Sequence, residues 1–286
     1  MKALIIIQAR AGGSRYPGKV FEEIAGLSIL EHVVRRARHK GYTVVIAAPA
    51  SSAEAMQQTA AWRQVVPDNR GATSLVPIYF AQADENDVLG RFAQTAKWAD
   101  QMGSFLGMER FGCVVRLTAD CPFLPVAGID AVAEAVTSGE NDYCETRSDP
   151  SGRPNGIDAQ AMTMQLLQEA SAFTTDPGGR EHLTGALLGL AEKPGRVQQL
   201  EGMRLDELPG FRLTVDTPDD LERYRAMAAH LSVDPTAGRP TLMELRDLYR
   251  RMPELFCVET YTPDGPLGMP LTQTFYEDNR YGSDGR

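Results

Sequence analysis

The chain opens with a short unbroken apolar run, "ALIII" at residues 3–7, and then changes character at Gln8, Arg10 and a pair of glycines. A continuous apolar run of this length, rich in β-branched residues, predicts a strand buried on both faces of a parallel sheet. In "LSILEHVVRRARHKG" the apolar positions Ile29, Leu30, Val33, Val34 and Ala37 fall on one helical face, and Gly41 marks the stop. "YTVVIAA" predicts a second buried strand, "DVLGRFAQTAKWADQM" a helix and "CVVRL" a third strand. "GIDAVAEAVTSG" predicts a helix and "NDYCET" a strand. Residues 147–210 are less regular, with helical stretches at 162–169 and 181–190. "FRLTVD" (211–216) then predicts a strand, and "TPDDLERYRAMAAHL" a helix with Thr217 as cap, Pro218 in the first turn and Asp219 and Asp220 at the positive end.

Alternation of short buried strands with helices specifies an α/β fold with a mostly parallel sheet and helices on both faces. One catalytic domain is expected over residues 1–231, its acceptor and dimerisation region lying at about 147–210. A linker, "SVDPTAGRP", leads to one more helix, "TLMELRDLYRRM", and then to an extended tail within residues 232–286. From residue 253 onward the sequence combines Pro253, Pro263, Pro266 and Pro270 with Phe256, Tyr261, Phe275 and Tyr276. The prolines rule out a long helix and the aromatics are unusual for a disordered tail, so the segment is expected to dock on a surface.

Composition narrows the function. With 286 residues, 43% of them hydrophobic and 23% charged, a large core is available. A formal net charge of −9 argues against binding a nucleic-acid backbone. The four cysteines have no metal or redox spacing, and free thiols fit a reducing cytosol. The N-terminal apolar stretch is too short for a signal peptide, and no segment has the length of a membrane span. A soluble cytoplasmic protein is expected.

Against this acidic background, "GSRYPGKV" (13–20) stands out. It fits the phosphate-binding pattern G-x-x-x-x-G-K up to the last position, where Val20 replaces the metal-binding hydroxyl. Gly12 and Gly13 allow backbone N–H groups to approach phosphate oxygens, while Arg10, Arg15 and Lys19 concentrate positive charge. The alternative, a glycine-rich turn with solvated charges, explains the glycines but not the run as a whole. Two later segments, "VVRLTADCPFL" and "FRLTVDTPDD", each place an acid, Asp120 and Asp216, just past a predicted strand, on the edge where α/β sheets bind ligands. Singly they read equally well as a turn residue and a helix cap. Together they suit Mg²⁺, which takes one or two carboxylates and completes its shell with water and phosphate.

These pieces, with "ENDVLGRF", "NDYCET", "PNGIDAQAM" and "GGREHLT", resemble in order the cytidylyltransferase family of CMP-Kdo and CMP-sialic acid synthetases, closest to its spore-coat polysaccharide branch. The resemblance covers about residues 2–228. It implies a Rossmann-like nucleotidyltransferase fold, often dimeric, with CTP as donor, Mg²⁺ as cofactor and a small anionic acceptor of the 2-keto sugar acid type. By position, Arg10, Ser14, Arg15 and Lys19 would bind the triphosphate, with Gln8, Ala9, Gly12 and Gly13 in the same nucleotide-binding segment. Asp87, Arg91, Arg116 and Thr118 would lie at the nucleotide. Asp120 and Asp216 would hold the metal and, with Arg10, Arg15 and Lys19, form the catalytic set. Asn155, Asp158, Arg180 and His182 would face the acceptor, with His182 either a base or a structural hydrogen-bonder. Extra residues around "MGSFLGMERFG" and the last ~55 residues depart from the family pattern. A phosphate or phosphonate acceptor, or a nucleotide-binding protein without turnover, are the competing readings. A dinucleotide-binding dehydrogenase is disfavoured because no G-x-G-x-x-G follows strand one.

Overall fold

The computed structural model describes residues 2–13, 15–58, 66–67, 73–74, 76–146, 155–191, 197–199 and 211–258. Ser14 and the tail beyond residue 258 lie outside them. The elements run β1 (Lys2–Gln8), the hairpin β2 (Glu23–Ile24) and β3 (Leu27–Ser28), α1 (Ile29–Ala37), β4 (Thr43–Pro49) and α2 (Ala53–Gln58). The short pair β5 (Val66–Pro67) and β6 (Thr73–Ser74) precedes β7 (Ile78–Ala81), α3 (Val88–Phe105), β8 (Phe111–Thr118) and α4 (Val126–Thr137). Then come β9 (Tyr143–Glu145), β10 (Gln160–Thr163), α5 (Met164–Phe173), α6 (Pro177–His182), α7 (Thr184–Ala191) and β11 (Val197–Gln199). The described chain closes with β12 (Phe211–Arg212), α8 (Pro218–Ala229), α9 (Leu242–Arg251) and β13 (Cys257–Val258).

Seven strands form one sheet in the order β11-β9-β10-β8-β1-β4-β7. β1, β4, β7 and β8 are mutually parallel, as their unbroken apolar runs require. β10 enters antiparallel between β8 and β9. Its short segment, "QAMT", carries little strand signal, and its pairing is decided by its neighbours. Each face of the sheet has its own core. Ile5, Ile7, Val44, Ile46, Val115 and Leu117 pack under α1 and α4, and Leu4, Ile6, Val45, Val114, Tyr143 and Met162 under α3 and α5.

One expected strand is corrected. Only Phe211–Arg212 of "FRLTVD" is a strand, and it pairs with β13 rather than with the main sheet. The rest runs extended across the sheet's end and takes its hydrogen bonds individually. Leu213 N donates to Asn155 O (2.6 Å) and Val215 N to Asp120 O (2.9 Å). The approach is close at Gly156, whose φ is +96° and where a Cβ would lie 2.1 Å from Leu213 O. A third core forms here. Ile24, Phe123, Leu213, Val215, Leu221 and Tyr224 pack together with Leu245, Leu248 and Phe256 from beyond residue 231. Among the described residues no helix is long and apolar enough to cross a membrane.

Candidate active site

β1 and β8 lie side by side and end together, with Gln8 paired to Thr118. Their carboxyl ends open into a cleft of about 220 Å³. One wall is the glycine-rich loop, which contributes Arg10, Gly12, Gly13, Arg15, Tyr16, Lys19 and Val20. The other walls are Gln8 and Ala9, the β8 exit at Thr118, Ala119 and Asp120, and Asp216. The loop turns through Gly18, at φ +76°, a conformation glycine adopts without the steric cost of a Cβ. A single 3₁₀ turn over Lys19–Phe21 then buries Val20 and aims Lys19 into the cleft. The position where a phosphate loop carries a hydroxyl is therefore a core position here.

Lys19 joins the two acids. Its Nζ lies 2.9 Å from Asp120 Oδ2 and 2.8 Å from Asp216 Oδ1. Arg15 reaches Asp216 Oδ1 at 3.1 Å, and Thr214 Oγ1 donates to Oδ2 at 3.1 Å. Burial opposes the charge of Lys19, but attraction to both carboxylates and hydrogen bonds to each raise its pKa above the usual value. Burial would likewise raise Asp216, but Lys19, then Arg15 and Thr214, bring it below the usual range. Two carboxylates that converge on one ammonium form a cation site whose present occupant is a side chain. Their oxygen donors fit a hard divalent ion such as Mg²⁺.

The acid-bearing turn has a support that sequence reading missed. Thr217, not Asp216, caps α8, and Asp220 completes a capping box. Asp220 Oδ2 also accepts from Asp216 N (3.0 Å) and Thr217 N (2.9 Å), while Oδ1 accepts from Arg212 and Arg223. One buried carboxylate thus fixes the backbone from which Asp216 projects. Thr217 as the cap was legible, but not the box with Asp220, its backbone bond to Asp216 or the ion pair with Arg212.

Beside the cleft, Arg116 donates through Nε and Nη2 to Gln8 Oε1 (3.3 and 3.0 Å) and through Nη1 to Gln160 Oε1 (2.6 Å). Gln160 Nε2 donates in turn to Glu145 Oε2 (3.2 Å) and Thr184 Oγ1 (2.7 Å). Tyr143 Oη donates to the same buried glutamate oxygen at 2.7 Å. The chain of bonds fixes each amide in turn, so Gln8 presents only its N–H₂ to the cleft. Gln8→Met should weaken nucleotide binding by one hydrogen bond, about 0.5–1.5 kcal/mol. Gln8→Glu should weaken it further by placing a negative charge before an anion. Calorimetric titration with CTP reads both, and an unchanged Kd in both variants would show that Gln8 meets no ligand.

Other expected residues pair among themselves. Asp87 caps α3 through Gly90 N (2.9 Å) and takes both ends of the Arg180 guanidinium at 2.9 and 2.8 Å. Arg91 is fully buried and donates to Glu85 O. Its desolvation pushes its pKa down to about 10, which leaves it cationic at neutral pH. Arg10 lies at the rim, 3.9 Å from Glu85. Asn155 bridges backbone to backbone with Arg212, Asp158 Oδ2 accepts from Gly156 N (3.2 Å), and His182 is exposed in the last turn of α6.

Comparison with known proteins agrees with this architecture. The cytidylyltransferase family model matches residues 4–230, most of the chain. The chain belongs to the cytidylyltransferase family. It is accordingly a nucleotidyltransferase enzyme. Among the relatives of this cytidylyltransferase is the spore coat polysaccharide biosynthesis protein SpsF of Bacillus subtilis, 26% identical over 251 residues, covering 85% of this chain and 92% of that one. A second is a 3-deoxy-manno-octulosonate cytidylyltransferase of Stenotrophomonas maltophilia, 29% identical over 273 residues, covering 80% and 98%. The fold is shared with a cytidylyltransferase structure from Leptospira borgpetersenii, at TM-score 0.71 and 21% identity over 92% of this chain and 99% of that one. It is also shared with a CMP:2-keto-3-deoxy-manno-octonic acid synthetase structure complexed with CTP, at TM-score 0.51 and 18% identity, covering 80% and 99%.

Proposed function

We propose that this cytidylyltransferase transfers CMP from CTP to a small anionic acceptor of the 2-keto sugar acid type, releasing pyrophosphate. The observation that carries the proposal is the convergence of Asp120 and Asp216 on the Lys19 ammonium at the mouth of the cationic glycine-rich loop. An acceptor oxygen would attack the α-phosphorus. The new O–P bond forms as the bond to the bridging oxygen of pyrophosphate breaks. Such transfers depend chiefly on positioning and on neutralising charge. Arg10, Arg15 and Lys19 would take the triphosphate and the departing pyrophosphate, together with the backbone N–H groups of Gly12 and Gly13. Asp120 and Asp216 would hold Mg²⁺, which when bound supplies charge neutralisation at the reacting phosphate. The names of the relatives support a sugar-acid acceptor and a role in polysaccharide biosynthesis. The family resemblance supports a homodimer.

The test is a nucleotide and acceptor screen read as pyrophosphate release. CTP should be used in preference to ATP, GTP and UTP, release should need a sugar-acid acceptor, and a chelator should abolish it. Indifference to the base, or turnover undiminished by the chelator, would sink the proposal.

A further inference from the structure

The family match ends at residue 230, and the described chain continues to residue 258. The segment after the match is packed behind the two acids. Leu245 and Leu248 of α9 are fully buried, and Phe256 nearly so, in the third core. Phe123, three residues past Asp120, and Val215, immediately before Asp216, belong to that core. Tyr224 links the two sides. Its ring stacks edge-on against Phe123 at 4.7 Å, and its hydroxyl donates to Leu213 O at 2.6 Å.

Two polar ties accompany the packing. On the Asp120 side, the fully buried Arg36 donates to Pro122 O (2.8 Å) and Leu124 O (3.0 Å). Its remaining N–H groups reach Pro240 O, in that segment, at 3.4 Å. On the Asp216 side, β13 pairs with β12, setting Cys257 opposite Arg212. Arg212 pairs with Asp220, which holds the amide of Asp216. The two acid-bearing segments meet at a single backbone bond, Val215 N to Asp120 O.

We propose that residues 231–258 are a brace that positions Asp120 and Asp216 relative to each other and thereby sets the affinity of the site for a divalent cation. The metal half of this inference rests on the function proposed above, and the positioning half does not. Neither acid makes a hydrogen bond or ion pair to this segment. Its effect passes through Phe123, Arg36, Val215 and Arg212, so its residues position the acids without taking part in the chemistry. A brace behind both acids resists the mutual approach or separation that a change of occupant between them, ammonium or metal, would otherwise drive.

The test uses the full chain with Phe256→Ala, Leu248→Ala or Arg36→Lys, and Leu166→Ala, in the core beneath α5, as a control of similar cavity chemistry. Two quantities are read well below the unfolding midpoint. One is hydrogen exchange at the Val215 amide relative to Ile5 in β1. The other is the Mn²⁺ concentration that half-saturates CTP-dependent pyrophosphate release. The brace variants should speed exchange at Val215 but not at Ile5, and raise the half-saturating Mn²⁺ on the order of tenfold, as loss of a metal site's outer support does. Leu166→Ala should do neither. Should Phe256→Ala fail to fold, Phe256→Leu gives the graded form of the same effect. The proposal is overturned if Val215 exchange is unchanged in the folded variants, or if Leu166→Ala alters it equally. If the wild-type chain shows no CTP turnover, the function proposed above fails, while the exchange measurement still decides the positioning half.

Discussion

Asp120→Asn and Asp216→Asn should each lower CMP transfer on the order of 10²–10³-fold, with the fold intact. Each substitution keeps size and shape but removes one of the two charges that meet at Lys19. The two are not equivalent. Asp216 has Arg15 and Thr214 as further partners, and its backbone is held by Asp220. Among the described residues, the Asp120 carboxylate has, besides Lys19, a hydrogen bond only from the Cys121 thiol, at 3.6 Å. Asp216→Asn should therefore also cost measurable stability, while Asp120→Asn should be nearly silent by calorimetry. Steady-state rates at saturating CTP, together with melting temperatures, separate the two effects. Near wild-type rates in both variants would mean that the metal, or the reaction centre, lies elsewhere.

Lys19→Met should do two opposite things. Turnover should fall, because the triphosphate loses a cation placed to meet it. The protein without nucleotide should be destabilised by about 1–3 kcal/mol, because two partly buried carboxylates then face each other with only the exposed Arg15 beside one of them. Added Mg²⁺ should restore part of that loss in the variant and barely shift the wild type, whose site already holds a positive charge. The pH dependence has a definite sign. The raised pKa of Lys19 contributes stability that is complete below the ordinary lysine value and fades as pH climbs through the raised one. The lowered pKa of Asp216 contributes stability that is complete above the ordinary carboxylate value and fades as pH falls through the lowered one. The gap between wild type and Lys19→Met should thus be widest between roughly pH 5 and 10 and narrow on either side. Differential scanning calorimetry across that range, with and without Mg²⁺, provides the check. A gap that Mg²⁺ leaves untouched in the variant would show that the acids do not share a cation site.

The parts of this site that could be read from sequence are those coded locally. The glycine-rich loop follows directly on β1 and Asp120 directly on β8, and a strand end followed by a loop places residues without help from elsewhere. The helix start at Thr217 was legible for the same reason, since a cap, a first-turn proline and two acids lie within four residues. What was not legible depends on partners far along the chain. "FRLTVD" alternates like a strand, but its backbone bonds go to Asn155 and Asp120, which no local pattern reveals. Asp87 and Arg180 pair across 93 positions of sequence. No local pattern links them, yet folded they are each other's counter-ion. Glu145 and Gln160 gave no signal at all, because a buried amide–carboxylate chain has no characteristic spacing.

The antiparallel entry of β10 has a consequence for how such an enzyme can change. β9 runs parallel to β8 and finishes at the same edge, while β10 begins there, with Gln160 directly between Arg116 and Glu145. The connection between Glu145 and Gln160 therefore leaves and re-enters the sheet on the catalytic side, with Asn155 and Asp158 along it. A crossover between parallel strands has to carry a helix back across a face of the sheet, so its length is constrained by the core. A hairpin link has no such duty, and lengthening it costs only slowly growing closure entropy. Insertions and deletions ahead of Asn155 need not disturb the strands, the acids or the stretch from Asn155 to Ala159, which bonds and packs against Leu213 and into the cores. One topological reversal separates the part of the molecule free to drift from the part that must not.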